Sequence, residues 1–424
     1  MDHVGQNGRR HELLRFLRAV PLFDPEASGP ALDILAHPAS DLLRPMRDFV
    51  FHNPTEIVFG RGSIAGLAAR VPQDVPVLLV YGGGSIHKNG VYDQVRKALG
   101  KRARVDFGGI EPNPRYETAM RAVRKVREHN IGFLLSVGGG SVLDACKFIA
   151  AAARFEGSDP WTILSRHAPV QAALPIGAVL TLPATGSESN GNAVISRDST
   201  QEKLAFSSRA VYPVFSILDP ETTFSLPQKQ VRNGIVDAMV HVLEQYATYP
   251  AAAPLQDRLA ESILKTLVEV GPKTLAAPHD YDARSSLMWC ATLALNGLIG
   301  CGVPNDWATH EIGHELTALY GIDHAESLAV VLPGVWKRCA EEKREKLAQY
   351  AERVFGACGV EGAIEATEAF FRSLSMPVRL SDHGIDVEEA AAKITERFRA
   401  RRARLGERRR IDADAVGEIL RMRA

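Results

Sequence analysis

The sequence has no long apolar run, no excess of charge of either sign and no paired pattern of cysteines. Its 424 residues carry 50 Lys and Arg against 50 Asp and Glu, so the formal net charge is zero. A strong excess of one charge is typical of nucleic-acid-binding proteins and acidic disordered chains, so neither is predicted. No segment approaches the roughly 20 apolar residues that a membrane helix needs, and arginines and a proline interrupt 11–23, which is therefore a poor signal peptide.

The cysteines are equally uninformative about disulfides or redox chemistry. There are five of them, widely spaced and without a Cys-x-x-Cys pair, which predicts a reducing, cytoplasmic setting. The composition, 46% hydrophobic and 24% charged, is that of an ordinary globular protein, and the length predicts two or three domains.

Residues 1–45 carry no chemical motif and combine a short amphipathic stretch with Pro-, Ser- and Gly-rich segments. One interpretation is a loosely held extension. The other is a misassigned start, because Met46 directly precedes the first strand-like segment. The sequence leaves both interpretations open.

From residue 46 to about 226 the pattern alternates short apolar strands with helices, and this predicts an α/β domain with a parallel sheet. After Pro227 long helical patterns take over, including Val231–Tyr246, Leu255–Val270 and Ala283–Ile299. Residues 227–424 are therefore predicted to form an all-α domain.

Two of the predicted strands end in glycine triplets, Gly82–Gly84 and Gly138–Gly140. Glycines let a backbone approach a pyrophosphate, and ligands gather at the carboxyl ends of parallel strands. The spacing is neither Gly-x-Gly-x-x-Gly nor a Walker loop, so the triplets predict a less common nucleotide site. No acid follows Tyr81 to bind a ribose 2′-hydroxyl, whereas His87 and Lys88 lie close behind, which favours NADP(H) over NAD(H).

The helical half contains a set of metal-ligand side chains. Asp237 and His241 are four residues apart and so share one helix face, and their neighbours are apolar, so the carboxylate needs a partner or a metal. His310 and His314 share one face of a later helical segment, and the segment Tyr320-Gly-Ile-Asp-His324 adds a further histidine. One carboxylate with imidazoles suits Fe(II) or Zn(II), and an open coordination position would make the metal a Lewis acid.

A competing interpretation arises from His310-Glu311-Ile-Gly-His314, which matches the H-E-x-x-H motif of zinc proteases. The extended form of that motif wants a third histidine where this chain has Tyr320. A zinc metalloprotease remains the alternative function at this point.

Taken together, the motifs resemble the iron-containing (group III) alcohol dehydrogenase family, closest to its NADPH-dependent aldehyde reductase or butanol dehydrogenase branch. The resemblance rests on Gly138-Gly-Gly-Ser-Val-Leu-Asp144, Thr181-Leu-Pro-Ala-Thr-Gly-Ser-Glu188, Asp237-x3-His241 and His310-x3-His314 with His324. It implies a Rossmann-like first domain, a helical metal-binding second domain and a homodimer. It also implies hydride transfer between NADP(H) and an aldehyde or primary alcohol.

By the same resemblance, the metal ligands would be Asp237, His241, His310 and His324, while His314 would lie just outside this set, as a proton relay or substrate contact. Cofactor contacts would come from Gly83, Ser85, Asn113, Gly139, Gly140, Ser141, Asp144, Thr181, Thr185, Asn190 and Lys203. Two segments depart from the family pattern, the 45-residue extension and the stretch from Arg397 to Arg410, which holds eight arginines and one glutamate. Interleaved apolar residues favour a solvated helix face there over a nucleic-acid site.

Overall fold

A six-stranded sheet, parallel throughout, forms the centre of the first half of the chain in the computed structural model, which describes residues 44–424. Its strands lie in the order β1-β8-β5-β4-β2-β3. Their bounds are β1 Glu56–Phe59, β2 Val77–Tyr81, β3 Arg104–Phe107, β4 Phe133–Gly139, β5 Ile176–Leu182 and β8 Phe215–Leu218. The prediction of a parallel α/β sheet is confirmed, although β5 and β8 were not foreseen.

Helices cover both faces of this sheet, and the alternation of side chains along the strands explains why. In β2, Leu78 and Val80 pack into one apolar core, whereas Val77 and Leu79 pack into another on the opposite face. Successive side chains of a strand point to opposite faces. The helices of this half are α1 Leu67–Arg70, α2 Ser85–Lys88, α3 Val91–Leu99, α4 Tyr116–Glu128, α5 Gly140–Ala153 and α6 Thr162–Ser165.

An antiparallel hairpin lies outside the main sheet. It consists of β6 (Asn192–Arg197) and β7 (Glu202–Ser207). Ser196 forms an isolated parallel bridge with Arg115. The hairpin matters for the site because β7 carries Lys203.

The second half is helical, as predicted. Its helices are α7 Gln228–Tyr246, α8 Pro254–Ala276, α9 Tyr281–Ala294, α10 Ala308–Tyr320, α11 His324–Arg338, α12 Ala340–Tyr350, α13 Gly359–Ser373, α14 Val387–Ala400 and α15 Ala413–Arg421. The helix predicted to reach Ile299 ends at Ala294, because Gly297 adopts a φ of 91° that a right-handed helix cannot contain. The predicted domain division near 226 falls between β8 and α7 and stays a prediction.

Residues 1–43 lie outside the described part of the chain, and with them nearly all of the predicted extension. Among residues 44–424 no helix is both long and apolar enough to cross a bilayer.

The arginine-rich stretch runs from the end of α14 to the segment before α15, and acids of the same chain neutralise much of it. Arg397 and Arg401 both bond the buried Glu315. Glu407 accepts hydrogen bonds from the buried Lys343. Further ion pairs join Arg399, Arg404, Arg408 and Arg410 to Glu396, Asp414, Asp412 and Glu342. Ion pairs within the chain thus explain the many arginines of this stretch better than the predicted solvated helix face does.

Candidate active site

Three helices bring the predicted metal ligands together. Helix α7 carries Asp237 and His241 one turn apart on a segment that is buried all round. Helix α10 contributes His310 near its start, and His324 is the first residue of α11. Asp237, His241 and His310 each place a ligand atom within 4.8 Å of the others. The Nε2 atom of His324 lies 3.7 Å from Oδ1 of Asp237.

The polar atoms of this cluster lack hydrogen-bond partners. Buried atoms without a partner among the described residues include Asp237 Oδ1, His241 Nδ1, His310 Nε2 and His324 Nδ1. Native structures rarely leave buried polar atoms unpaired. Three of these atoms belong to residues whose ligand atoms lie within 4.8 Å of one another, and such a group calls for a ligand of positive charge. The donor set of one carboxylate and three imidazoles therefore fits a divalent metal.

Burial keeps the imidazoles neutral, which is the form that binds metals. It lowers the pKa of His241 to about 4 and that of His310 to about 3. The pKa of His324 is also far below its usual value, from burial and from the nearby Lys203. Burial raises the pKa of Asp237, so a carboxylate here needs a cation to stay ionised.

His314 lies beside the cluster and outside the tight ligand group. Its ring centroid is 5.3 Å from that of His324 and 6.4 Å from that of His310. Its side chain is partly exposed, and burial lowers its pKa well below the ordinary value. It is therefore a neutral imidazole next to the predicted metal position.

At the other candidate site, the glycine triplet after β4 is fixed by close packing. A Cβ at Gly138 would lie 2.9 Å from Cβ of Val142, and one at Gly140 would collide with Thr185. Helix α5 starts at Gly140 without a side-chain cap. Its first N–H groups therefore remain available to an anion at the end of the sheet. Ser141, in that first turn, donates a hydrogen bond to the carbonyl of Pro112.

The triplet after β2 is more open. Gly83 and Ser85 are exposed, with no atom within 4 Å of a Cβ placed at Gly83. Across the sheet edge, Asn113 accepts a hydrogen bond from Lys203 at 3.0 Å. Lys203 is buried, its pKa is lowered by desolvation to about 8, and Asp237 is its strongest charged neighbour. This lysine thus connects the glycine-rich edge electrostatically with the metal cluster.

Two of the predicted cofactor residues are already satisfied within the protein. Asp144 accepts hydrogen bonds from Ser187 Oγ at 2.7 Å and from the Val194 N–H at 2.9 Å. Asn190 bonds the carbonyls of Gly186 and Leu295. In this structure both side chains shape the loop after β5, which also carries Thr185; Thr181 lies near the end of β5 itself.

Sequence reasoning assigned no role to Lys147, which organises that loop. Its side chain is fully buried, and its ammonium donates to Ser187 O and Oγ and to Asn192 O, each at 2.7 Å, and to Asn190 Oδ1 at 3.1 Å. The available signal was a lysine in the largely apolar helix α5, three residues after Asp144.

Glu244 was also missed. It is buried on α7, three residues after His241, and contacts the ring of His310. Burial and the neighbouring Asp306 raise its pKa to about 8. An acid on the same buried helix as two ligands was the signal that could have revealed it.

Two family models match successive parts of this chain. Residues 54–220 match the model of the family described as iron-containing alcohol dehydrogenase, and residues 232–423 match that of its C-terminal region. The chain belongs to the iron-containing alcohol dehydrogenase family. It is therefore an oxidoreductase of alcohols and aldehydes, as the sequence predicted.

Individual relatives agree with this assignment. The NADPH-dependent aldehyde reductase YqhD of Escherichia coli is 54% identical over 382 residues, which cover 88% of this chain and 99% of that one. The substrate- and cofactor-free structure of YqhD superposes with a TM-score of 0.82 at 50% identity, covering 89% and 100% of the two chains. The structure of NADH-dependent butanol dehydrogenase A of Thermotoga maritima superposes with a TM-score of 0.86 at 39% identity, covering 90% of this chain and 100% of that one.

The zinc-protease interpretation finds no support. His310 and His314 point into different surroundings, since only His310 shares the tight group with Asp237 and His241. The side chain of Glu311, which would activate water in a protease, is exposed.

Proposed function

We propose that the protein is an NADPH-dependent, metal-dependent aldehyde reductase that converts small aldehydes to primary alcohols. The observation that carries this proposal is the buried group of Asp237, His241 and His310 with its unpartnered polar atoms. The Nε2 atom of the partly exposed His324 lies 3.7 Å from Oδ1 of Asp237 and completes the set. Iron or zinc suits these donors equally, and metal supply decides between them.

The choice of NADPH rests on the turn after β2. No carboxylate follows Tyr81 between Gly82 and Gly90, whereas Lys88 is exposed there. A ribose 2′-phosphate would gain a cation and meet no acid at this position. The 54% identical relative YqhD is NADPH-dependent by name, and the butanol dehydrogenase of Thermotoga maritima is named for NADH, so the two cofactors must be compared directly.

When bound, NADPH supplies the hydride and the metal polarises the carbonyl oxygen of the aldehyde. The chain itself has three tasks. Gly138–Gly140 and the start of α5 bind the diphosphate, while Lys203 and Asn113 line the path towards the metal ligands. Asp237, His241, His310 and His324 hold the metal, and the buried helix faces around them exclude water.

His314 is the residue we propose to move a proton to the product oxygen. Its ring lies beside that of His324 and is partly exposed, so water can reach it. A neutral imidazole can relay a proton, because one ring nitrogen donates its proton to the product oxygen while the other nitrogen accepts one from the solvent, so the ring stays neutral.

We further propose a cytoplasmic homodimer. The five cysteines are all unpaired, which suits a reducing compartment. Edge strand β1 carries the exposed Phe59, which packs edge-on against the exposed Trp289 at 6.1 Å between ring centroids. Exposed Phe49, Phe51 and Val214 lie in the adjoining segments. An apolar surface along a sheet edge is typical of an interface, and light scattering after size-exclusion chromatography would measure the mass.

The experiment that tests the catalytic proposal is oxidation of NADPH and of NADH with butanal. It is run on the isolated protein, after chelator treatment, and after Zn(II) or Fe(II) is restored. We expect chelator-sensitive turnover that favours NADPH and returns with one of the two metals. Turnover that survives complete metal removal would refute the metal role, and a preference for NADH would refute the cofactor assignment.

A further inference from the structure

Glu244 joins two of the helices that carry the metal ligands. It lies on α7, three residues after His241 and seven after Asp237, and only 2% of it is exposed. Its Oε1 accepts a hydrogen bond from the Thr309 N–H at 2.8 Å. Its Oε2 accepts one from the His310 N–H at 3.2 Å and also contacts His310 Nδ1.

The contact between Oε2 and Nδ1 determines which nitrogen of His310 is available. A hydrogen bond between these two atoms engages Nδ1 with Glu244. The other nitrogen, Nε2, is buried and has no hydrogen-bond partner among the described residues. A proton held between Nδ1 and Glu244 leaves the lone pair of Nε2 free, which is the tautomer that a metal ligand requires.

The same carboxylate fixes the start of α10. The N-cap residue of this helix, Trp307, has a φ of 69° and provides no side-chain cap. Thr309 and His310 lie in the first turn, and their N–H groups are satisfied by Glu244 from α7 instead. The carbonyl of Glu244 also accepts the Asp306 N–H at 2.8 Å. The position of His310 relative to Asp237 and His241 is thus set by a side chain and a carbonyl of one residue.

From this geometry we infer that Glu244 is a positioning residue that presents Nε2 of His310 to the metal and thereby sets the affinity of the site. The inference rests on the proposed metal-binding function. It assigns to Glu244 no contact with substrate or cofactor.

The test compares Zn(II) affinity in metal-free wild-type protein and in Glu244→Gln, measured by competition with a chromophoric chelator. Glutamine keeps the size of the side chain but replaces one carboxylate oxygen by an N–H₂ group. The N–H groups of Thr309 and His310, which bond different oxygens of Glu244, therefore cannot both keep their acceptor. Its amide N–H₂ would face an N–H group or hold His310 in the wrong tautomer. Outer-shell partners of this kind change metal affinity about 10- to 100-fold, and we expect a loss in that range with NADPH binding unchanged.

Glu261→Gln is the matched control. Glu261 is another buried carboxylate of the helical half, on α8, and it bonds Tyr246 OH and Gln349, each at 2.8 Å, and Arg353 at 3.0 Å. None of these partners is a predicted ligand. Thermal unfolding of the metal-free proteins reports the structural cost of each change, and we expect both variants to lose stability but only Glu244→Gln to lose Zn(II) affinity.

Wild-type affinity in Glu244→Gln would overturn the inference and leave the proposed function standing. An equal loss of affinity in Glu261→Gln would also overturn it, because general loosening of the helices would then explain both results. Failure of the wild-type protein itself to bind Zn(II) or Fe(II) would refute the proposed metal site, and the inference with it.

Discussion

Asp144 and Asp237 are both carboxylates on largely apolar helices, one in each half of the chain, and their hydrogen bonding differs completely. Asp144 uses both oxygens on Ser187 and Val194. Within residues 44–424, Oδ1 of Asp237 has no hydrogen-bond partner, and the nearest imidazole nitrogens of His241 and His324 lie 3.6 and 3.7 Å from it. Asp144 therefore stabilises a loop, whereas Asp237 keeps an oxygen atom free to bind a cation.

The two candidate binding regions follow the same distinction. At the glycine-rich edge the polar side chains are satisfied within the protein, and binding is left to backbone N–H groups that the absence of side chains exposes. In the metal cluster the side chains themselves are unsatisfied. Substitutions that add atoms to the glycines should therefore impair cofactor binding, and substitutions that remove ligand atoms should impair metal binding.

The largest effect is expected from Asp237→Ala. Loss of the only carboxylate of the four predicted ligands should abolish metal binding and lower aldehyde reduction by about 1000-fold or more, since metal polarisation contributes several kcal/mol. Elemental analysis of the metal content reports on the metal cluster, and fluorescence measurement of NADPH binding reports on the glycine edge. We expect Asp237→Ala to bind NADPH as the wild type does. Asp144→Asn is the counterpart and should keep its metal. An Asp237→Ala protein that is active without metal would refute the distinction between Asp237 as a metal ligand and Asp144 as a structural carboxylate.

The next largest effect is expected from His314→Ala, which changes neither a predicted metal ligand nor a residue of the glycine edge. If this imidazole relays the proton, turnover should fall about 100-fold, the lower range for a general acid. Metal content should stay the same. The pH profile of turnover is the measurement, because loss of a relay changes its shape whereas a local packing defect lowers it uniformly. Unchanged turnover at every pH would exclude the relay.

Sequence reasoning found the residues whose chemistry shows in their type and spacing. Asp237 and His241 share a face because of helical periodicity, and the glycine triplets stand where strands end, so both regions were predictable. It did not find the local β6–β7 hairpin. It also did not find β5 or β8, whose pairing depends on contacts far apart in the chain. Ile176 of β5, for example, pairs with Leu134 of β4.

Sequence reasoning also missed the supporting residues. Lys147 and Glu244 are ordinary helix residues by type, and what they do depends on partners 40 and 66 positions away. Asp144 and Asn190 were matched to the family motif as cofactor contacts, and this assignment stays a prediction, although both side chains also have hydrogen-bond partners within the protein. A motif gives the place of a residue in the sequence, whereas the direction of its side chain follows from packing.

A smaller effect is expected when atoms are added to the glycine edge. In Gly138→Ala the new methyl group would lie within 3 Å of Val142, so helix α5 or strand β4 must shift. Overpacking of this kind costs about 2 kcal/mol, and the Michaelis constant for NADPH should rise while the metal stays bound. At Gly83 no atom lies within 4 Å, so Gly83→Ala should unfold like the wild type. Equal unfolding curves for both variants would show that the edge is not tightly packed.

The smallest effect is a difference in how the two regions respond to pH, measured on metal-free protein by chemical unfolding. The pKa of His241 is about 4 in the folded protein and 6.5 when unfolded. As pH falls from 6.5 to 4 the unfolded state alone gains a proton, so stability falls by about 1.4 kcal/mol per pH unit from this group.

Lys147 acts in a separate, alkaline window. Burial lowers its pKa from 10.5 to about 8, so between pH 8 and 10.5 the unfolded state again holds the extra proton, and stability rises with pH. His241→Asn should reduce the acid slope and leave the alkaline slope unchanged, and Lys147→Met should do the reverse, whatever each substitution does to stability at pH 7. Part of each slope remains, because burial also lowers the pKa of His310 and that of Lys203. If either substitution reduced both slopes, the metal cluster and the glycine edge would be titrating as one coupled region. The different hydrogen bonding of Asp144 and Asp237 would then not mark two independent regions.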